Sequence, residues 1–174
     1  MGLILLESPT PIAPPAVAAA EPGLALADLA LVWANGAADL ALFGTDLATD
    51  AGLTTAVLLS LMTDRRAEPD DVPPSGDPND RRGWCLDQFN AVEGDRYGSR
   101  LWLLDRAKRT NEIARTAEEY VREATAWMIE DRVVSGIDVP IETTTDRLLF
   151  GVILSRPGKD PLAFRFAHVW EAMT

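Results

Sequence analysis

The spacing of apolar residues predicts one long amphipathic helix in the second half of the chain. After Thr110, apolar side chains recur at steps of three and four, which places them on one face of an α-helix. The stripe consists of Ile113, Ala117, Tyr120, Val121, Ala124, Trp127 and Met128. Charged residues fill the opposite face, as in a helix that covers a core on one side. Thr110 is a suitable N-cap, and residues 96–109 should hold a shorter helix before it.

A β-hairpin is predicted upstream, in the segment DLALVWANGAADLALFG. Asn35-Gly36 favours a tight type I′ turn, because both residues tolerate a positive φ. The register set by this turn pairs Leu31 with Leu40 and Leu29 with Leu42, so that apolar pairs fall on one side of the ribbon.

A second helix is predicted over residues 50–63, with Thr49 or Asp50 as its N-cap. Apolar residues cover most of its surface, which indicates a central position. The next segment, residues 64–95, shows no periodicity and carries four prolines and many charges. We interpret it as a long loop, which in a compact domain is usually functional or disordered.

Three strand candidates follow the long helix, over residues 136–143, 147–155 and 161–170. The middle one is apolar on both faces and suits an inner strand. Pro140 cannot donate to a ladder, which predicts that residues 136–143 lie at a sheet edge. The predicted fold class is therefore α+β: a hairpin, central helices and a C-terminal antiparallel meander.

The N-terminal residues 1–23 form a separate segment with five of the twelve prolines. Their composition cannot build a core, so we predict an extended arm packed against another chain. The segment lacks a basic n-region and is not expected to be a secretion signal. The α+β domain should then span residues 24–168, followed by a short tail over 169–174.

The net charge of −11 argues against nucleic acid as a partner, and no apolar run is long enough for a membrane span. The charge is unevenly distributed: residues 64–115 carry a net charge of −1, and the remainder carries −10. Dense charge of both signs in the middle of the chain suits polar protein–protein contacts, although ordinary solvated surface is an equally good explanation.

The sequence contains no recognisable catalytic or metal-binding set. Cys85 is the single cysteine and His168 the single histidine, so neither has a partner for a disulfide or a zinc site. Asp70-Asp71 is more typical of a turn than of a cation site, and no hydrolase, phosphate-loop or metalloprotease motif is present. We expect neither a cofactor nor an enzymatic activity.

Three segments carry a family resemblance: TDRRA (63–67), RRGW (81–84) and GSRLWLL (98–104), of which the last contains Arg100. Together with the hairpin segment they make residues 27–157 similar to the baseplate wedge proteins of phage Mu-like contractile tails. These proteins resemble in turn the small wedge subunit of T-even phages and its type VI secretion counterpart.

The resemblance implies a non-enzymatic structural subunit of the virion tail baseplate, assembled in the host cytoplasm. It implies docking on a helical core bundle of other wedge subunits and attachment of the first tail-sheath ring, with tube or hub proteins as further partners. A Glu-Pro-Arg motif of the wider family corresponds to Glu130-Asp131-Arg132, with Asp131 in place of proline. A Gly-Glu-Arg element corresponds to TDRRA, where either Arg65 or Arg66 is the equivalent arginine.

The candidate interface residues are therefore Glu130, Arg132, Arg65, Arg66, Arg100 and Pro140. Two other functions compete with this one. A carboxylate-based cell-wall hydrolase associated with the tail would need two carboxyl groups about 5–10 Å apart in a cleft. The third interpretation is an adaptor protein unrelated to tails.

Overall fold

The computed structural model describes the backbone of residues 3–7, 28–29, 31–34, 37–40, 42–43, 46–47, 49–50, 53–90, 94–105, 107, 110–144 and 147–169. The strands are β1 (Leu3–Glu7), β2 (Asp28–Leu29), β3 (Leu31–Ala34), β4 (Ala37–Leu40), β5 (Leu42–Phe43), β6 (Asp46–Leu47), β7 (Thr49–Asp50), β8 (Gly136–Asp138), β9 (Ile141–Thr143), β10 (Arg147–Ser155) and β11 (Leu162–Val169). The α-helices are α1 (Thr54–Met62), α2 (Asn111–Thr125) and α3 (Trp127–Glu130), and Asp87–Phe89 and Arg100–Leu104 form 3₁₀ helices.

The main sheet has five antiparallel strands and confirms the predicted α+β class. Its order is β1-β11-β10-β8, and β9 also pairs with β10, next to β8 on the same edge. The segment predicted to be an inner strand, β10, is paired on both sides. Both β8 and β9 pair with no other described strand, so residues 136–143 lie at the sheet edge as Pro140 predicts.

One hydrophobic core joins the sheet to the helices. Phe164 and Phe166 of β11 are fully buried, and the Phe166 ring stacks on Phe150 at a centroid distance of 5.2 Å. The predicted stripe of α2 and α3 faces this core: Ala117, Val121, Ala124 and Met128 are buried, while Ile113, Tyr120 and Trp127 are partly buried. The predicted N-cap is confirmed, because the Thr110 hydroxyl accepts a hydrogen bond from the Ile113 amide at 3.2 Å.

The start predicted for the second helix is wrong. The helix begins at Thr54 instead of residue 50, with Leu53 at its N-cap in a left-handed conformation (φ 62°) and without a side-chain cap. Thr49 and Asp50 form β7, which pairs with β2. A tertiary backbone pairing thus takes precedence over the local capping preference of these two residues.

The predicted hairpin is confirmed near its turn and wrong farther out. Strands β3 and β4 pair Leu31 with Leu40, which leaves Asn35-Gly36 between them. Leu29, however, pairs with Thr49, and Leu42 pairs with Leu47. Gly44-Thr45 stands between β5 and β6 in the sequence and is a second turn signal, so the chain reverses again before the ribbon can lengthen.

The N-terminal segment also requires a correction. Within the predicted arm, Leu3–Glu7 is extended but pairs with β11 of the same chain, with Ile4 opposite Ala167. The short apolar run at this end suffices for a strand because β11 offers it an eight-residue edge. Residues 1–2 and 8–23 of the arm lie outside the described residues, and the boundaries of the domain and the C-terminal tail stay predictions.

Candidate functional site

The three sequence segments that carry the family resemblance come together in space. The Arg65 amide donates to the Ser99 carbonyl at 2.9 Å, the Ser99 amide donates to the Thr63 carbonyl at 2.8 Å, and the Ala67 amide donates to the Arg81 carbonyl at 2.9 Å. We call residues 63–67, 81–84 and 98–104 the three-segment junction. Gly98 (φ 96°) permits it, because a Cβ there would lie only 2.4 Å from the Thr63 carbonyl oxygen.

Arginine and tryptophan side chains fasten this junction. Arg82 pairs with the Asp64 carboxylate at 2.9 Å, and its guanidinium carbon lies 4.3 Å above the centre of the Trp102 ring. The indole nitrogen of Trp102 donates to the Arg65 carbonyl at 2.9 Å. The conspicuous motif residues therefore hold the start of the long loop against the 3₁₀ helix at Arg100–Leu104.

Arg100 links the loop to α2. Its Nε donates to Glu123 at 2.9 Å, its Nη1 donates to both carboxylate oxygens of Asp71 at 3.0 and 3.2 Å, and its guanidinium lies 4.5 Å above the Tyr120 ring. Burial alone would lower the pKa of Arg100, but its hydrogen bonds to Glu123 and Asp71 together raise that pKa. Burial, and next the nearby Asp71 carboxylate, raise the pKa of Tyr120.

A groove of about 810 Å³ opens beside the junction. It lies between α1, the α2–α3 end and residues 94–98, and its lining includes Thr55, Leu59, Arg65, Trp127, Glu130 and Asp131. Leu59 is 41% exposed although the rest of α1 is mostly buried. The groove thus offers a partly apolar floor and a rim that carries carboxylates.

A hydrogen bond and an ion pair hold two side chains of this groove. The indole nitrogen of Trp127 donates to the Ser60 hydroxyl at 3.0 Å. The Nε atom of Arg65, which is buried and has no hydrogen bond among the described residues, lies 3.7 Å from Oε1 of Glu123. Glu123 therefore contacts both Arg65 and Arg100 and couples the groove to the loop.

The chain leaves α3 through Arg132, one residue after Asp131, which lines the groove. Arg132 adopts a left-handed conformation (φ 59°), and the amides of the next two residues both donate to the Met128 carbonyl, which closes the helix end. The Arg132 and Glu130 side chains are exposed. Within the described part of the chain, neither side chain has a hydrogen bond or an ion pair.

The predicted interface residues do not all lie together. Arg65 and Glu130 line the groove, whereas Arg132 is not among its lining residues and follows Asp131, which is. Arg66 is exposed and reaches the Arg82 carbonyl at 3.5 Å. Arg100 is engaged inside the fold, and Pro140 belongs to the sheet edge.

Sequence reasoning missed several residues of the groove, above all Leu59, Thr55 and Tyr97. Leu59 lies four residues after Thr55, on the same side of α1, but an almost wholly apolar helix gives no signal for its one uncovered side. Among the described residues, no group of three or more His, Cys, Asp or Glu is placed to hold a metal ion. In the same part of the chain, every helix is too short or too polar to cross a membrane.

The amino-acid sequence of the chain is similar to those of known proteins. Residues 53–161 match the family described as phage protein GP46, a range that includes the junction, the groove and strands β8, β9 and β10. The chain is 41% identical over 150 residues to "Baseplate protein gp46" of Escherichia phage Mu, covering 85% of this chain and all of that protein. It is 39% identical over 114 residues to "Mu-like prophage FluMu protein gp46" of Haemophilus influenzae, covering 66% of this chain and 75% of that protein. No solved structure matches the chain. On this similarity, the chain belongs to the phage protein GP46 family.

Proposed function

We propose that this protein is a non-enzymatic structural subunit of a contractile-tail baseplate, located in its inner wedge. The observation that carries the proposal is the 41% identity to a baseplate protein of phage Mu over that protein's whole length. The fold supports a binding role, because the three-segment junction borders an open groove through Arg65 and Gly98. The hydrolase alternative has no specific observation in its favour: Glu123 in the groove is paired with two arginines, and no contact marks Asp95, Glu130 and Asp131 as a catalytic pair.

The docking surface of this proposal is the groove together with Glu130 and Arg132. A partner helix of the wedge core would lie across the groove, with the forked guanidinium of Arg132 donating to its carbonyls or carboxylates. Glycine would suit the left-handed backbone of Arg132 better by about 1 kcal/mol. An exposed arginine at such a position is better explained by an external partner than by stability.

The other candidate residues have distinct parts in this proposal. Arg65 supports the wall of the groove, and Arg100 holds the loop that frames it. Arg66 is exposed and available to a neighbouring subunit. Pro140 stands at the sheet edge, and the sheet is the surface that would receive the tail sheath.

Two substitutions at one position test the docking surface. Arg132→Lys should leave the melting temperature almost unchanged, and Arg132→Gly should raise the free energy of unfolding by about 1 kcal/mol because the backbone is relieved. Both should block baseplate assembly, measured as the yield of sheathed tails in a complementation assay.

The matched control is Arg115→Lys, which alters an exposed arginine on α2. It should assemble normally. Normal tail yield from both Arg132 variants would remove Arg132 from the docking surface, and absence of the protein from purified tails would overturn the proposed function itself.

A further inference from the structure

We infer that residues 84–89 of the long loop form a second contact surface beside the groove, and that the helix bound there carries basic as well as apolar residues. The inference rests on the proposed function, because it extends the proposed docking surface and names the chemistry of its occupant. It is carried by three exposed apolar side chains, by their contact with the groove wall and by the charges that line the groove.

Three large apolar side chains are exposed within six residues of the long loop. Trp84 is 39% exposed, Leu86 46% and Phe89 73%. We call these three residues the loop patch. Single exposed apolar residues are common on protein surfaces, but a group of them marks a contact surface, and aromatic residues are enriched in protein–protein interfaces.

Hydrogen bonds hold the loop patch in one conformation. The Asp87 amide donates to the Trp84 carbonyl at 3.1 Å, and the Phe89 amide donates to the Leu86 carbonyl at 2.9 Å. The Asp87 carboxylate in turn accepts a hydrogen bond from the Tyr97 amide at 3.1 Å. An apolar surface that is already ordered loses little conformational entropy on binding, which favours a docking role.

Trp84 connects the loop patch to the groove. The other residues of the RRGW motif have roles inside the fold: Arg81 and Arg82 bond within the three-segment junction, and Gly83 has a φ of 110° that favours glycine. The Trp84 ring instead stays partly exposed, with its centre 5.1 Å from that of the Tyr97 ring. Because Tyr97 lines the groove, the two surfaces are continuous.

The charges of the groove favour a basic partner. Its lining includes four carboxylates and two guanidinium groups, and both guanidinium groups are paired with carboxylates of this chain. Asp95, Glu130 and Asp131 are exposed, and among the described residues their side chains have no ion pair and no hydrogen bond. Lysine or arginine residues of the partner would complement these three carboxylates.

A helix of another subunit fits both surfaces. Apolar residues at steps of three and four would contact exposed Leu59 in the groove and Phe89 on the loop patch, and basic residues beside them would face the carboxylates. A second copy of this chain is a poor occupant, because it would bring another net charge of −11 to an acidic surface. An anionic membrane surface is repelled for the same reason.

The reactivity of Cys85 tests the inference without changing the loop patch. Cys85 is the single cysteine of the chain and is exposed between Trp84 and Leu86. In the purified full chain N-ethylmaleimide should modify it readily, and in isolated tails the modification should slow by at least about tenfold. The control is Val72→Cys on a Cys85→Ser background, which places a thiol at an even more exposed position of the same loop. Its reactivity should be the same in both settings.

The outcomes of the labelling separate the inference from the proposed function. Equal reactivity of Cys85 in the free protein and in tails that contain it would overturn the inference and leave the proposed function intact. Slow modification in the free protein, or equal slowing at position 72, would overturn the inference as well. Absence of the protein from the tails would overturn the proposed function itself.

Substitutions on the loop patch test its apolar contact. Leu86→Ser with Phe89→Ser should leave the melting temperature almost unchanged, because both side chains are exposed, and should lower the yield of sheathed tails several-fold. The matched control is Val72→Ser, which should assemble normally. Normal tail yield from the double variant would overturn the inference, and so would a dimer of the unaltered protein in light scattering that the double variant abolishes.

A charge reversal tests the basic character of the partner. Asp95→Lys should lower tail yield several-fold, because it sets a cation against the basic residues of the bound helix. Asp70→Lys makes the same change of charge at an exposed position that does not line the groove, and should assemble normally. Equal tail yields from the two variants would contradict a basic partner.

Discussion

Arg100 and Arg132 use the same guanidinium group in opposite settings. The Arg100 side chain is only 19% exposed and donates hydrogen bonds to Asp71 and Glu123. Arg132, in contrast, is exposed and has a left-handed backbone conformation at the end of α3. The sequence marks both residues through a family motif, but it does not distinguish their roles. The distinction depends on Asp71 and Glu123, which lie 29 and 23 residues away from Arg100 and show no periodic relation to it.

Replacing Arg100 by lysine should destabilise the protein although the positive charge at this position is kept. Lysine cannot reach Asp71 and Glu123 together with a planar fork, and it loses the stacking on Tyr120. We expect Arg100→Lys to lower the free energy of unfolding by about 1.5–3 kcal/mol, the range for hydrogen bonds to charged groups. Urea unfolding followed by circular dichroism measures this change.

Arg115→Lys is again the control, because Arg115 is exposed on the same helix that carries Glu123. Its cost should stay below about 0.5 kcal/mol. Equal stability of the Arg100 and Arg115 variants would show that the contacts of Arg100 do not hold the loop.

The helices and strands follow the sequence pattern where the pattern is long, and depart from it where pairing partners are remote. The long helix with its Thr110 cap, and the strands β10 and β11, are predictable because their periodicity extends over eight residues or more. The start of α1 is not, because Thr49 and Asp50 are equally suited to a cap and to a short strand. Only β2, some twenty residues earlier in the chain, decides between the two.

The edge formed by β8 and β9 depends on a close contact between Pro140 and Gly151. The Gly151 amide donates to the Pro140 carbonyl at 2.8 Å, and a Cβ on Gly151 would lie 2.9 Å from Cγ of the proline ring. Gly151→Ala should therefore cost about 1–3 kcal/mol of stability, as overpacking in a core does. Adding Pro140→Ala should restore most of it, because the alanine side chain lacks the obstructing ring.

Thermal melts of the two single variants and the double variant measure this coupling. Gly136→Ala is the control on the neighbouring strand, since a Cβ there meets only Ser155 at an ordinary 3.8 Å. Additive effects of the Gly151 and Pro140 substitutions would contradict the proposed contact.

At the scale of the whole molecule, the N-terminal strand β1 of the chain forms one edge of its main sheet. The proline-rich composition of residues 1–23 predicts that they build no core of their own. It does not predict that Leu3–Glu7 pairs with β11 near the other end of the chain. Such a pairing joins residues about 160 positions apart and leaves no local trace in the sequence. The groove is hidden for the same reason, since its walls come from three separated parts of the chain.

The final prediction concerns the N-terminal segment and separates the contribution of strand β1 to stability from that of the residues that follow it. Deleting residues 2–7 removes β1 and leaves the outer edge of β11 without a partner strand. Four paired positions are lost, and after the entropy of ordering is subtracted we expect a loss of roughly 1–3 kcal/mol together with a tendency to aggregate through the bare edge. Deleting residues 12–20 instead shortens the connection but keeps β1, so its melting temperature should match that of the intact protein. Thermal melts and light scattering of the two variants side by side measure both effects. If the two deletions melt alike and remain equally monomeric, Leu3–Glu7 does not stabilise this sheet, and the whole N-terminal segment returns to the role of an arm for another subunit.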